Sequence, residues 1–88
     1  MPMEDEQVLD LVRKLEKQTY DAVAPFSPHA RTVVGYKGLG VYGAALAVTL
    51  DARGAPLEDV ARMQLAVQAE LVRTVPAGVK WTLCTVST

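Results

Sequence analysis

The stretch GYKGLGVYGAALAVTLD (Gly35–Asp51) decides how the fold is read. Its first nine residues hold four glycines and two tyrosines, so the backbone there either cradles a ligand or turns a strand back on itself. From Val41 onward the stretch alternates. Tyr42, Ala44, Leu46, Val48 and Leu50 share one side, and Val41, Gly43, Ala45, Ala47 and Thr49 share the other. A period of two is the signature of a strand. RTVVGY (Arg31–Tyr36), just before, is β-branched and aromatic, so the two segments read as a hairpin.

Three phosphate-binding patterns fail against this context. A P-loop places Lys-Ser/Thr at a strand-to-helix junction, whereas Lys37 is followed by Gly38 and a strand. GLGVYG (Gly38, Gly40, Gly43) has dinucleotide-fingerprint spacing but opens no helix. GYKG has the spacing of the KH-domain clamp, which sits between helices. The reading is a turn, with Gly38 and Gly40 supplying positive φ and Gly43 a bulge or close approach.

Outward from the hairpin the pattern becomes helical. Residues 4–23 bring Val8, Leu11, Val12, Leu15, Thr19, Ala22 and Val23 to one face, with Asp10–Lys14 and Lys17–Asp21 as candidate ion pairs on the other. Pro25 and Pro28 in APFSPHA end that helix. After the DARGAP loop, Pro56 starts a second helix at its first position, running to about Thr74. Its apolar face reads as Leu57, Val60, Ala61, Val67, Leu71 and Val72, with Gln64 and Gln68 projecting from the middle. VKWTLCTVS comes after Pro76-Ala77-Gly78 as a third strand, with Val79, Trp81 and Leu83 opposite Lys80, Thr82 and Cys84.

The order α-β-β-α-β predicts an α+β two-layer sandwich: a three-stranded mixed sheet, strand order 2-1-3, with two helices on one face. The other sheet face stays uncovered. Its small, apolar residues Val41, Gly43, Ala45, Ala47 and Thr49 are a candidate contact surface. Gln64 and Gln68 join them as interface candidates, because an unpaired buried amide costs about 1–3 kcal/mol.

Composition narrows the functional classes. The 88 residues make a single domain, 1–88, burying roughly 60–65 % of its extended surface, so a thin core gains from dimerisation. The net charge is −1 with basic residues scattered along the chain, which makes nucleic-acid binding an unfavoured class. The single cysteine, Cys84, excludes an intrachain disulfide, and it reads as a small buried residue. No apolar run approaches the ~20 residues of a membrane span, and MPMEDEQ is no secretory signal, so a reducing cytoplasm is the expected location.

Chemistry-bearing constellations are sparse. His29 is the only histidine and lies in a proline-rich loop, distant from Cys84, so no zinc-ligand or other metal pattern exists. No nucleophile has an adjacent base, and no carboxylate pair sits in an apolar setting. The expectation is a non-enzymatic domain without a cofactor, working by homo-oligomerisation or by docking a protein partner. Two alternatives are a small-molecule or metal sensor near His29, Tyr36, Gln64 and Gln68, and a KH-like nucleic-acid binder using Arg31, Lys37 and Lys80. Tyr36, Tyr42 and Trp81 could line a groove or belong to the core.

The stretch Gly43–Ser87 resembles the end of the bacterial alkaline-shock-protein family in Gly54, Pro56, Val60, Ala61, Gln64, Val67, Gly78 and Val79. The α-β-β-α-β order is also similar to the cytoplasmic C-terminal domain of cation-diffusion-facilitator transporters. Those domains dimerise and bind metal through histidines and carboxylates. Both resemblances imply a small, non-catalytic, self-associating module.

Overall fold

The computed structural model describes residues 5–38 and 44–87, with two helices and three strands in the order α1 (Asp5–Val23), β1 (Arg31–Gly38), β2 (Ala44–Asp51), α2 (Leu57–Thr74) and β3 (Val79–Val86). Val8, Leu11, Val12, Leu15, Thr19 and Val23 of α1 are buried, so the helical periodicity translates directly into packing. The α1 pairs Asp10–Lys14 and Lys17–Asp21 are not among the ion pairs of the described residues. Those are Arg53–Asp51, Arg62–Asp59 and Arg73–Glu70.

The sheet is mixed, as its element order predicts, but the strand order is corrected: it runs β1-β2-β3, not 2-1-3. β2 is central, antiparallel to β1 and parallel to β3. The α2 crossover therefore delivers β3 to the strand it left, and Ala52 N–H extends that ladder by donating to the Val86 carbonyl at 2.8 Å. Side chains account for the choice. Leu46, Val48 and Leu50 of β2 are buried, whereas β1 and β3 place Lys37 and Lys80 where an edge leaves them in water.

Registers fix the two faces. Val34, Val48 and Leu83 form one row beneath the helices, and Tyr36, Leu46 and Trp81 the next. The large β2 residues face the helices, as their alternation predicts. α1 packs on β1 and α2, while α2 covers β3 more sparsely. Trp81 and Leu83 are accordingly only half-buried.

The α2 face also needs correction. Its buried residues are Val60, Met63, Val67 and Leu71; Leu57, Ala61 and Val72 are exposed, as are Gln64 and Gln68. Helix α2 begins at Leu57 with Pro56 as N-cap, one position later than expected. Gln64 and Gln68 are thus solvated and need no buried partner.

Candidate functional site

The uncovered sheet face is built by pairing. Adjacent strands bring Lys37, Ala45 and Lys80 into one row, then Gly35, Ala47 and Thr82, then Val33, Thr49 and Cys84, and last Arg31, Asp51 and Val86. Of the expected contact residues, Ala45 and Thr49 are half-buried and Ala47 is exposed, all on this face. Val41 and Gly43 lie outside the described residues, as do Gly40 and Tyr42, but the turn role expected of Gly38 is corrected: it ends β1 in the ladder, and the described glycines with positive φ are Gly54 and Gly78. What the register establishes is that Gly38 and Ala44 pair as antiparallel neighbours.

Small side chains in the middle of this face leave a hollow of about 360 Å³ lined by Gly35, Lys37, Ala45, Ala47, Lys80 and Thr82, among others. A Cβ added to Gly35 would meet the Ala47 carbonyl at 3.6 Å, an ordinary contact. The hollow is therefore open space rather than a tight fit.

Charge is divided between the layers. The two helices carry eight acidic and five basic residues, whereas the strands and loops after α1 carry four basic residues and one acid, Asp51. Basic residues that look scattered in sequence converge because β pairing aligns Arg31, Lys37 and Lys80 on one face. Arg53 engages Asp51 through Nε and Nη2 at 3.0 and 2.8 Å. These hydrogen bonds, with a backbone bond from Arg53 and weaker attraction from Arg53 and Arg31, hold its carboxyl below the usual carboxylate range. Among the described residues, neither Lys37 nor Lys80 has an ion-pair partner.

A second surface lies on α2. At 100° per residue, Leu57, Ala61, Gln64, Leu65, Gln68 and Val72 fall within an arc of roughly 100° that contains no charged residue. Leu57, Leu65 and Val72 are 80 %, 66 % and 67 % exposed. Thr74 Oγ1 donates to Gln18 Oε1 at 2.9 Å, and Glu70 and Arg73 line a cleft with α1, so this arc lies on the side turned away from α1. Sequence reading merged the two stripes of α2 into one. The spacing Val60-Met63-Val67-Leu71 would have separated them.

The residues suggested for a sensor site are not assembled. His29 precedes β1 and Tyr36 lies near its far end, about 20 Å along an extended chain, while Gln64 and Gln68 point outward from α2. His29 is exposed; Cys84 is also exposed on the open face, contrary to its expected burial. Among the described residues no three histidine, cysteine or acidic side chains are grouped to hold a metal, and no helix is long and apolar enough to cross a membrane. Register places Tyr36 and Trp81 beside Leu46 in a helix-facing row, and both also border the hollow.

Comparison with known proteins gives a fold likeness. A solved chain of the candidate zinc transporter CzrB superposes with a TM-score of 0.59 at 17 % identity, covering 98 % of each chain. At that identity the likeness establishes a shared fold, in keeping with the element order of cation-diffusion-facilitator C-terminal domains. No family model matches the chain, so the alkaline-shock resemblance gains no support, and no curated protein matches it either.

Proposed function

We propose that this chain is a non-enzymatic accessory domain that self-associates through the outer face of α2. The carrying observation is the uncharged arc with Leu57, Leu65 and Val72 exposed along it. A two-fold axis near the middle of α2 would set two copies antiparallel. Leu57 then meets the partner's Val72, Ala61 meets the partner's Gln68, and Gln64 meets the partner's Leu65. The pattern is self-complementary, as an isologous contact requires. Gln64 also lies beside its own copy at the axis, where two amides pair without burying charge.

The likeness to the CzrB chain supports an accessory module of that architecture. Zinc belongs to the description of that protein and forms no part of this reading. The sheet face is the poorer homodimer surface: Arg31, Lys37 and Lys80 would face their own copies across it.

The stripe from Leu57 to Val72 is about 22 Å long, so the expected dimer is small and concentration-dependent. Light scattering coupled to size exclusion tests it. Wild type should move from monomer to dimer with concentration, and Leu65→Glu should stay monomeric with an unchanged thermal midpoint. Wild type that remains monomeric at high micromolar concentration overturns the reading.

A further inference from the structure

We infer that the bare sheet face docks an acidic amphipathic helix from a protein partner, with an apolar side chain seated in the hollow and carboxylates on Lys37 and Lys80. This goes beyond self-association and uses a different surface. Three observations carry it. The face is open where a two-layer sandwich takes another layer, and Val33 and Val86 are exposed on it. Its charge is lopsided: the single acid, Asp51, is engaged by Arg53, while Lys37 and Lys80 have no ion-pair partner among the described residues. The hollow lies between those two lysines, and its lining is overwhelmingly apolar.

Spacing supplies the match. Lys37 and Lys80 flank Ala45 in one row, so their backbones stand two strand separations apart, about 9.6 Å. A helix lying across the strands presents residues i and i+7 about 10.5 Å apart on one face, with i+3 and i+4 between them. Glutamates at i and i+7 reach the two ammonium groups while a leucine at i+3 or i+4 enters over Gly35, Ala45 and Ala47. Nucleic acid fits less well, because a chain of net charge −1 with a handful of basic residues on this face neutralises few phosphates.

Fluorescence anisotropy on the whole chain tests this with a dye-labelled synthetic helix carrying glutamates at i and i+7 around paired leucines. Saturable binding is expected, weakening about tenfold on raising salt from about 50 to 500 mM as screening tightens. Lys37→Glu/Lys80→Glu should lose about tenfold or more in affinity. Gly35→Leu, which fills the hollow, should also weaken binding, with thermal melts showing that both variants are folded. Leu65→Glu should bind the peptide like wild type, so failure of the α2 dimer and failure of this site are told apart. The inference is overturned if the peptide does not bind, if the double variant binds it equally, or if a glutamine-for-glutamate peptide binds as well. It is also overturned by tighter binding to a single-stranded oligonucleotide or phosphatidylserine vesicles. Concentration-dependent assembly abolished by the double lysine variant but not by Leu65→Glu would overturn it in favour of a second copy.

Discussion

Thr19 Oγ1 and Thr32 Oγ1 lie 2.6 Å apart, tying α1 to β1 through two hydroxyls. Thr19 is fully buried, and its only hydroxyl hydrogen is directed to the Leu15 carbonyl at 2.7 Å. Thr32 must therefore donate to Thr19. Thr19→Val keeps the shape and strands the Thr32 hydroxyl, so it should cost about 1–2 kcal/mol. Thr19→Val/Thr32→Val removes both groups and should cost less than the two single changes added together. A double-mutant cycle by urea denaturation measures the coupling; strict additivity would refute the pairing.

Thr85 presents the converse case. Its hydroxyl oxygen is buried with no hydrogen-bond partner among the described residues, on the helix-facing row with Thr32 and Leu50. Thr85→Val keeps the β-branch and deletes the unsatisfied oxygen. It should raise stability, by about 0.5–1 kcal/mol, visible as a higher urea midpoint at unchanged slope. A lower midpoint would mean that the hydroxyl has a partner.

Gly78 has φ +91° just before β3, with nothing within 4 Å of an added Cβ. Substitution there costs backbone strain alone. Gly78→Ala should lose about 1 kcal/mol, Gly78→Asn less, and Gly78→Val more. Thermal melts that rank these three variants differently would place the constraint elsewhere.

Asp51 should leave a signature in acid. Hydrogen bonds from Arg53 lower its carboxyl pKa from the ordinary 3.8. A folded-state pKa below the unfolded one contributes stability above the unfolded value and loses it as pH falls through the folded one. The stability gap between wild type and Asp51→Asn should therefore be present at neutral pH and close below pH about 4. The pair is exposed, so the gap is small and shrinks in salt. Carboxyl NMR titration of Asp51 gives the pKa directly.

Legibility in the sequence tracked burial. α1 has one apolar stripe and one charged one, so its packed face was readable residue by residue. The alternation of β2 likewise announced Leu46, Val48 and Leu50 as core. α2 misled because it bears two adjacent apolar stripes, and a helical period cannot say which meets the sheet. Strand order was hidden because either arrangement places β3 parallel to β2. The basic face was invisible for a related reason: Lys37 and Lys80 are distant along the chain and become neighbours of Ala45 only through β pairing.

The central placement of β2 also sets a timetable for folding. β1 and β2 are joined by a short connection and can zip locally, within about microseconds for a hairpin. β3 pairs with β2 at an offset of 35 positions, Ala44 with Val79, and must wait for that larger closure. Until it arrives, one long border of β2 has open amides and carbonyls beside its most apolar side chains. Nascent or partly denatured chains are thus most prone to cross-pairing with one another along β2, and a faster-forming α2 shortens that vulnerable interval.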